Sequence, residues 1–235
     1  MWSGPRNIST AMMRAWENRP DTIVCDEPLY AHYLKETGAP HPGAQLVIAA
    51  YETDWKKVVH KLTGEIENGA SIYFQKHMTH HLLPNMDKSW LDDLTNCFLI
   101  REPREMLTSL IKVIPNPTIE DTGLTQQIEL FKHVSQRTKT TPPVLDARQV
   151  LENPRQALGM LCEATNIEFD EAMLEWPAGS RETDGIWEKF WYERIATTTS
   201  FCSYASKEEE VPEHLLSLLD QCNALYAWIF EQRLQ

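Results

Sequence analysis

Short apolar runs rich in β-branched residues alternate along the chain with longer segments in which apolar residues recur every three or four positions. Runs of the first kind indicate buried strands, and we predict them at Thr22–Cys25, Ser71–Gln75, Asn96–Ile100 and Pro143–Asp146. Segments of the second kind predict helices at Ser9–Asn18, Asp54–Glu67, Pro103–Val113, Thr125–Thr138 and Pro154–Thr165. The alternation predicts an α/β fold, a parallel β-sheet flanked by helices.

The end of the chain has its own pattern. Apolar residues recur at helical spacing over about residues 211–234, which predicts a C-terminal amphipathic helix. We expect it to dock on the rest of the protein, with a contact to a second copy as the alternative. The 235 residues show no repeat or low-complexity tract, so we expect a single domain over residues 1–235.

Charge and cysteine usage narrow the functional classes. The 34 acidic and 22 basic side chains give a formal net charge of −12, whereas general binding to nucleic acid or an anionic membrane needs a basic surface. Neither partner is expected. The 5 cysteines are widely spaced without a C-x-x-C pair, which argues against a disulfide framework or a zinc ribbon. The first residues do not resemble a signal peptide, so we expect a cytoplasmic protein.

Ligands of parallel sheets bind at the carboxyl ends of the strands, so polar residues near predicted strand ends and helix starts are candidates. The first such segment is a turn that leads into the helix at Ser9. Backbone N–H groups at a helix N-terminus, a guanidinium and two hydroxyls suit a phosphate or sulfate group. An ordinary N-capped helix is the alternative, and the Walker A pattern is absent. The candidate residues are Pro5, Arg6, Asn7, Ile8, Ser9 and Thr10.

A second candidate pair follows the strand at Asn96–Ile100. Arg101 projects from the end of this strand, and Ser109 lies two turns into the next helix. The two side chains are spaced to hold a second phosphate group. A surface ion pair of Arg101 with Glu102 or Glu105 is the alternative.

Two residues are candidate proton acceptors. Glu27 follows the strand at Thr22–Cys25 and can take a proton from a substrate hydroxyl, or it can be a first-turn acid of a helix. His77 lies in a segment that also contains His80 and His81. A zinc site is not favoured there, because no nearby Asp, Glu or Cys completes a ligand set at helical spacing. We therefore interpret His77 as a base or hydrogen-bond donor, with a structural histidine as the alternative.

A further polar stretch contains Arg181, Gly185 and Trp187. An arginine followed by a Gly-x-Trp turn is suited to a lid over a nucleotide, in which the indole stacks or packs.

Taken in order, these segments resemble the sulfotransferases that use 3′-phosphoadenosine 5′-phosphosulfate as sulfuryl donor. The segment from Pro5 to Thr10 resembles their 5′-phosphosulfate loop. Arg101 and Ser109 resemble their 3′-phosphate pair. The sequence departs from the family pattern at Ile8, where the family has glycine, and at Gln75, where the family has lysine.

Two later segments extend the resemblance, which covers about residues 3–187. His77 followed by His81-Leu82-Leu83-Pro84 is similar to the family's Lys-Thr-His-Leu-Pro and His-Leu-Leu-Pro region. Arg181 followed by Gly185-Ile186-Trp187 is similar to its lid. The resemblance also implies a P-loop nucleotide-hydrolase-like fold.

The resemblance implies transfer of a sulfuryl group from this donor to a hydroxyl or amine of a small-molecule acceptor. It implies that Arg6, the loop N–H groups and Thr10 hold the 5′-phosphosulfate, and that Arg101 and Ser109 hold the 3′-phosphate. No metal is needed if Arg6 and Lys76 supply the positive charge. A monomer or homodimer is expected.

The base stays open between Glu27 and His77, with a slight preference for Glu27 because Asp-Glu-Pro sits at a strand end facing the loop. Two other functions also stay open. One is a non-catalytic or divergent nucleotide-binding module on the same fold, favoured mildly by Ile8 and Gln75. The other is a P-loop kinase-like phosphotransferase, for which the Walker lysine is missing.

Overall fold

The computed structural model describes residues 1–206 and 209–235, in which five parallel strands form one sheet in the order β2-β3-β1-β4-β5. The strands are β1 (Trp2–Ser3), β2 (Thr22–Asp26), β3 (Ile72–Met78), β4 (Phe98–Ile100) and β5 (Val144–Asp146). The sequence-based strands match β2 to β5 within three residues at every end. The central strand β1 is only two residues long, too short for its pattern to be recognised.

Helices connect the strands and follow β5. They are α1 (Ser9–Glu17), α2 (Tyr30–Thr37), α3 (Ala44–Ala50), α4 (Trp55–Leu62), α5 (Pro103–Leu110), α6 (Ile119–Thr122), α7 (Leu124–Thr138), α8 (Ala147–Glu152), α9 (Pro154–Ala164), α10 (Glu188–Trp191) and α11 (Leu216–Phe230). The helix predicted at Asp54–Glu67 is too long, because α4 ends at Leu62 and Gly64 follows the terminal Thr63. The helices α3, α6, α8 and α10 were not predicted, and α2 was expected only in the alternative interpretation of Glu27 as a first-turn acid.

Apolar residues cover both faces of the sheet, as a parallel sheet requires. Successive side chains of β4 point to opposite faces, so Leu99 packs with Met12 and Trp16 of α1, whereas Phe98 packs with Phe131 of α7. Burying an aliphatic or aromatic side chain of this size contributes about 1.5–3 kcal/mol. The two hydrophobic layers therefore fix the positions of the strand ends.

The C-terminal helix α11 packs against α5 and α7, with Leu218, Cys222 and Ile229 buried. This agrees with the docking helix predicted from the sequence, although α11 is shorter than 211–234. In the described part of the chain, no helix is both long and apolar enough to cross a lipid bilayer.

Candidate active site

The carboxyl ends of the strands surround a cavity of about 250 Å³. Its walls come from the turn after β1, the residues that follow β2, β3 and β4, the end of α5, and several side chains between residues 191 and 205. All six loop candidates from Pro5 to Thr10 line this cavity. So do Glu27, Lys76, Arg101 and Ser109, which the fold brings together from four separate parts of the chain.

The loop between β1 and α1 has an unusual backbone. Arg6 has a φ of 60° and Ile8 a φ of 58°, both in the left-handed region. A β-branched residue rarely adopts this conformation because its Cβ crowds the backbone. Ile8 therefore adopts a backbone conformation that glycine adopts easily and that is strained for isoleucine. Strain of this kind clusters at functional sites.

The start of α1 faces the cavity. No side chain caps this helix, so the alternative of an ordinary cap by Ser9 or Thr10 is wrong. The first N–H groups of any α-helix lack a partner within the helix, and its N-terminus carries partial positive charge. Ser9 and Thr10 line the cavity at this terminus, where an anion would be stabilised.

Three arginines gather beside the loop. Arg101 donates from Nη1 to the carbonyl oxygen of Arg6 at 2.7 Å, and Arg6 donates from Nε to Ser109 Oγ at 2.9 Å. Burial, and then the nearby charges of Arg101 and Arg194, lower the pKa of Arg6. We call Arg6, Arg101, Arg194 and Ser109 the arginine wall. Like charges held this close indicate a site for an anion of several charges.

Glu105 orients one of these cations, Arg101. Its Oε2 accepts from Nε of Arg101 at 3.1 Å and from Nη2 at 2.9 Å. The ion pair that the sequence left as an alternative is therefore present, and Arg101 nevertheless lines the cavity. The pair leaves the guanidinium fixed rather than free to rotate.

Behind the loop, Lys76 lies in a buried ionic cluster. Its Nζ donates to Asp26 Oδ1 at 2.7 Å, to Glu27 Oε1 at 2.5 Å and to Tyr192 Oη at 2.7 Å. Burial alone would lower the pKa of Lys76, but the charges of Asp26 and Glu27 outweigh it and raise the pKa well above the usual value. Lys76 is therefore charged, and its three N–H bonds already have partners.

Glu27 belongs to this cluster and also lines the cavity. Lys76 holds Oε1, while Oε2 faces His81, whose Nδ1 lies 3.9 Å away. Burial raises the pKa of Glu27 against the opposing effect of the Lys76 charge. The backbone of Glu27 has a φ of 41°, which makes it the third residue of this site with a positive φ, after Arg6 and Ile8. A carboxylate so placed can accept a proton in the cavity.

Aromatic and imidazole rings line the cavity near Glu27. The ring of His81 stacks on that of Tyr30, with centroids 4.7 Å apart, and contacts that of His80 at 4.5 Å. A hydrogen bond of 2.9 Å joins His41 Nδ1 to the Tyr30 hydroxyl, and the His41 ring lies edge-on to Trp191. We call these residues the aromatic wall: Tyr30, His41, His80, His81 and Trp191.

The histidines of this wall are neutral. Burial lowers the pKa of His80 to about 3. Burial is also the larger reason why the pKa of His81 lies well below its usual range, and the neighbouring His80 is the second. Burial also lowers the pKa of His41. The Nδ1 atoms of His80 and His81 are buried without a hydrogen-bond partner. Such atoms are uncommon in folded proteins. The Nδ1 of His80 packs toward Gly123, whereas that of His81 lies 3.9 Å from Glu27 Oε2 in the cavity lining.

His77 lies away from the cavity, which argues against its interpretation as a base. Lys76 and His77 are neighbours on β3, so their side chains point to opposite faces of the sheet. The His77 ring stacks on Trp2 with centroids 4.3 Å apart, and its Nε2 contacts Gln75 Oε1 at 3.2 Å. Burial lowers the pKa of His77 well below its usual range. The structural alternative fits these contacts.

The predicted lid also does not line the cavity. Arg181 donates from Nη2 to the carbonyl oxygen of Pro177, away from the arginine wall. Trp187 is 2% exposed and packs edge-on to Tyr30. A Cβ on Gly185 would lie 2.1 Å from the Trp187 indole, so this glycine is needed for packing. The segment therefore packs against Tyr30 of the cavity lining.

Three further residues of the site lie outside the predicted strand ends and helix starts: Tyr192, Arg194 and Asp121. Tyr192 donates to Asp26 Oδ2 at 2.8 Å and joins the buried cluster to the chain after α10. Arg194 and Asp121 line the cavity. None of the three follows a strand, so the rule that located the other candidates did not reach them. In the described residues, no group of three or more histidine, cysteine or acidic side chains is placed to hold a metal ion.

Two curated relatives are similar over most of this chain. Branched-chain-amino-acid aminotransferase-like proteins 2 and 1 of Arabidopsis thaliana are each 33% identical over 226 residues, which is 96% of this chain and 40% of theirs. The chain thus spans about two fifths of the length of these relatives.

Two solved structures are similar in fold. The sulfotransferase domain from the curacin biosynthetic pathway has a TM-score of 0.50 and 12% identity, covering 97% of this chain and 95% of that one. The sulfotransferase domain of the Synechococcus PCC 7002 olefin synthase has a TM-score of 0.53 and 14% identity, covering 94% and 92%. Both share the α/β fold described above. The sequence model described as the sulfotransferase domain matches residues 1–226, so the chain belongs to the sulfotransferase domain family.

Proposed function

We propose that the protein transfers a sulfuryl group from 3′-phosphoadenosine 5′-phosphosulfate to a hydroxyl group of a small-molecule acceptor. One observation supports this most strongly. The arginine wall and the start of α1 line the same cavity as Glu27, so anion-binding groups and a proton acceptor share one space. In-line group transfer needs both kinds of group in one site.

The chemistry of the arginine wall fits the donor. The donor carries a phosphosulfate at one end of its ribose and a phosphate at the 3′ position. The loop N–H groups, Arg6 and Thr10 would hold the first, and Arg101 with Ser109 would hold the second. A protein of net charge −12 gathers three guanidinium groups here against its overall field, which supports a local polyanion site.

The reaction balances without a metal or a redox partner. The donor supplies an activated sulfuryl group, whose bond to the bridging phosphate oxygen breaks as a new bond forms from sulfur to the acceptor oxygen. Glu27 would take the acceptor's proton at Oε2, and the products would be a sulfate ester and 3′-phosphoadenosine 5′-phosphate. Arg6 and the loop N–H groups would stabilise the charge on the leaving phosphate.

Lys76 would act mainly through Glu27, because all its N–H bonds already have protein partners. By holding Oε1 it leaves Oε2 as the oxygen available to the acceptor. Lys76 would therefore position the base, in addition to its charge favouring an anion nearby.

Transfer of labelled sulfate tests the proposal. Purified protein is incubated with the ³⁵S-labelled donor and simple phenols and alcohols, and labelled ester is separated from donor. We expect acceptor-dependent ester formation that Glu27→Gln reduces. Formation at equal rates with and without the protein, across the acceptor set, would contradict the proposal.

The partners we propose are this donor and a small-molecule acceptor, with neither nucleic acid nor membrane, and with the chain acting as a monomer or homodimer. The large negative net charge supports the first two exclusions. The cytoplasmic location stays a prediction from the sequence.

A further inference from the structure

The cavity lining is divided by charge. The arginine wall holds three guanidinium groups, whereas the carboxylates of Glu27 and Asp121 lie by the aromatic wall. In the described residues, Lys76 is the cation nearest to Glu27, and its three N–H bonds are already used. Arg6 of the arginine wall reaches the aromatic wall only at Trp191, and its Nη1 already donates to the carbonyl oxygen of that residue at 3.2 Å. An anionic acceptor bound beside Glu27 and Asp121 would therefore meet negative charge.

Asp121 is the carboxylate that the proposed reaction does not use. It lines the cavity, and its charge acts on His41 of the aromatic wall and on Tyr33 beneath it. Its Oδ2 accepts from the backbone N–H of Thr118 at 2.7 Å, as part of a helix cap. No ion pair to Asp121 forms in the part of the chain that the structure describes. Its negative charge is therefore available to a ligand.

The position of Asp121 is fixed by close backbone packing. A Cβ on Gly4 would lie 2.5 Å from the carbonyl oxygen of Thr122, so the loop and α6 touch directly. A Cβ on Gly123 would lie 3.3 Å from His80 Nδ1. The segment that carries Asp121 thus lies against both the loop and the aromatic wall.

A second feature of this wall points to a ligand. His81 is 2% exposed, lines the cavity and has an unpartnered Nδ1 that lies 3.9 Å from Glu27 Oε2. A hydroxyl group can accept from one atom and donate to the other, so it suits this pair. Aromatic rings beside a free carboxylate suit an ammonium group, through cation–π and ionic contacts together.

We propose that the acceptor is a hydroxyl compound that carries a protonated amine, its hydroxyl bound at Glu27 and His81 and its ammonium group bound at Asp121 and the aromatic wall. The inference rests on the proposed sulfuryl transfer, because that reaction requires the hydroxyl at Glu27. It adds Asp121 as the residue that determines acceptor specificity.

Binding of matched compounds tests the inference. Calorimetry at pH 7 with saturating 3′-phosphoadenosine 5′-phosphate compares tyramine, 4-ethylphenol and 4-hydroxyphenylacetate, which differ mainly in charge. A second series of 5-amino-1-pentanol, 1-pentanol and 5-hydroxypentanoate covers aliphatic acceptors. In at least one series we expect the amine to bind about 10-fold tighter than the neutral compound, with no measurable binding of the acid.

Two variants separate charge from folding. Asp121→Asn keeps an oxygen for the helix cap and removes the charge, so the advantage of the amine should disappear. Thr118→Ala weakens the same cap through its lost side-chain bonds to Asp121 and keeps the carboxylate, so the advantage should remain. Unfolding midpoints of both variants show whether a change in binding comes from lost structure.

Three results would overturn the inference: an acid binding as well as its amine, an unchanged amine preference in Asp121→Asn, or no binding by either series while the nucleotide product binds. Failure of that product itself to bind would instead contradict the proposed donor, and the acceptor inference would fall with it.

Discussion

Lys76 donates from Nζ to Oε1 of Glu27 at 2.5 Å, so a buried cation in the cavity wall holds the proposed base by one oxygen. The other oxygen faces the aromatic wall, where an acceptor would bind. Burial raises the pKa of Glu27, and the charge of Lys76 opposes that effect while its hydrogen bond fixes the carboxylate in place. This hydrogen bond also links the proposed base to Asp26 and Tyr192, which bind the same lysine.

Glu27→Gln should reduce the rate of sulfuryl transfer by about 10²- to 10⁴-fold, because the amide cannot take the proton. Binding of 3′-phosphoadenosine 5′-phosphate should persist, since the arginine wall is unchanged. In the unaltered protein the rate should fall as the pH drops through the raised pKa of Glu27, above that of an ordinary glutamate. Release of the nucleotide product, followed over a range of pH, measures the rate loss in Glu27→Gln and the pH dependence of the unaltered protein.

His77→Gln is the matched comparison for that variant. The His77 ring packs against Trp2 on the other side of β3, so its loss should leave the transfer rate close to that of the unaltered protein. A large loss in His77→Gln together with full activity in Glu27→Gln would assign the base to the histidine and contradict the assignment made here.

Arg101→Ala should weaken binding of 3′-phosphoadenosine 5′-phosphate by about 10- to 100-fold, because a hydrogen bond to a charged group contributes about 1.5–3 kcal/mol. Arg148→Ala is the control, since Arg148 forms an exposed pair with Glu152 outside the cavity. Calorimetric titration of both variants measures the effect. Equal affinities would show that Arg101 does not bind the 3′-phosphate.

Tyr192→Phe should lower the free energy of unfolding by about 1–3 kcal/mol, because Asp26 and Lys76 lose a buried hydrogen-bond partner. Tyr51→Phe is the control, because Tyr51 is 39% exposed and water can replace the single bond that its hydroxyl accepts from the backbone N–H of Ile186. Urea unfolding compares the two variants. A loss in Tyr51→Phe as large as that in Tyr192→Phe would contradict the role given to the buried cluster.

Acid should destabilise the protein through its buried histidines. Burial lowers the pKa of His80 to about 3 from an ordinary 6.5, so the unfolded chain binds the proton first. The stability due to neutral His80 is present above pH 6.5 and is lost as the pH falls toward 3, by up to about 1.4 kcal/mol per pH unit. His81 and His77 act in the same direction.

His80→Asn should therefore make the free energy of unfolding less dependent on pH between 7 and 5. The exposed His60 offers a control, since His60→Asn changes a side chain that is solvated in both states. Urea midpoints across this range measure the slope. An unchanged slope in His80→Asn would mean that the folded protein does not hold His80 neutral.

Much of the fold follows from local patterns. The strands from Thr22 to Asp146 were found because each is an apolar run between turn residues, and α5 and α9 because proline starts each helix. Helix α3 was missed, and α2 was expected only as an alternative, because Tyr30–Thr37 and Ala44–Ala50 are short, and tertiary packing against Trp187 supports them.

The site residues that the sequence predicted are those whose position follows from the ends of the strands. The loop, Glu27, Arg101 and Ser109 lie at or near strand ends, and the sheet brings those ends together. The sequence itself argues against His77 as a site residue. Successive side chains of a strand point to opposite faces of the sheet, so Lys76 and His77 cannot both face the cavity. Arg194 and Asp121 come from connections whose paths depend on tertiary packing, so no local pattern marks them.

Calorimetric titration with 3′-phosphoadenosine 5′-phosphate, ADP and ATP tests the central claim most directly. The arginine wall predicts that only the nucleotide with a 3′-phosphate binds tightly, and that Arg101→Ala removes most of this preference. Equal binding of the three nucleotides, or no binding by any of them, would contradict the account.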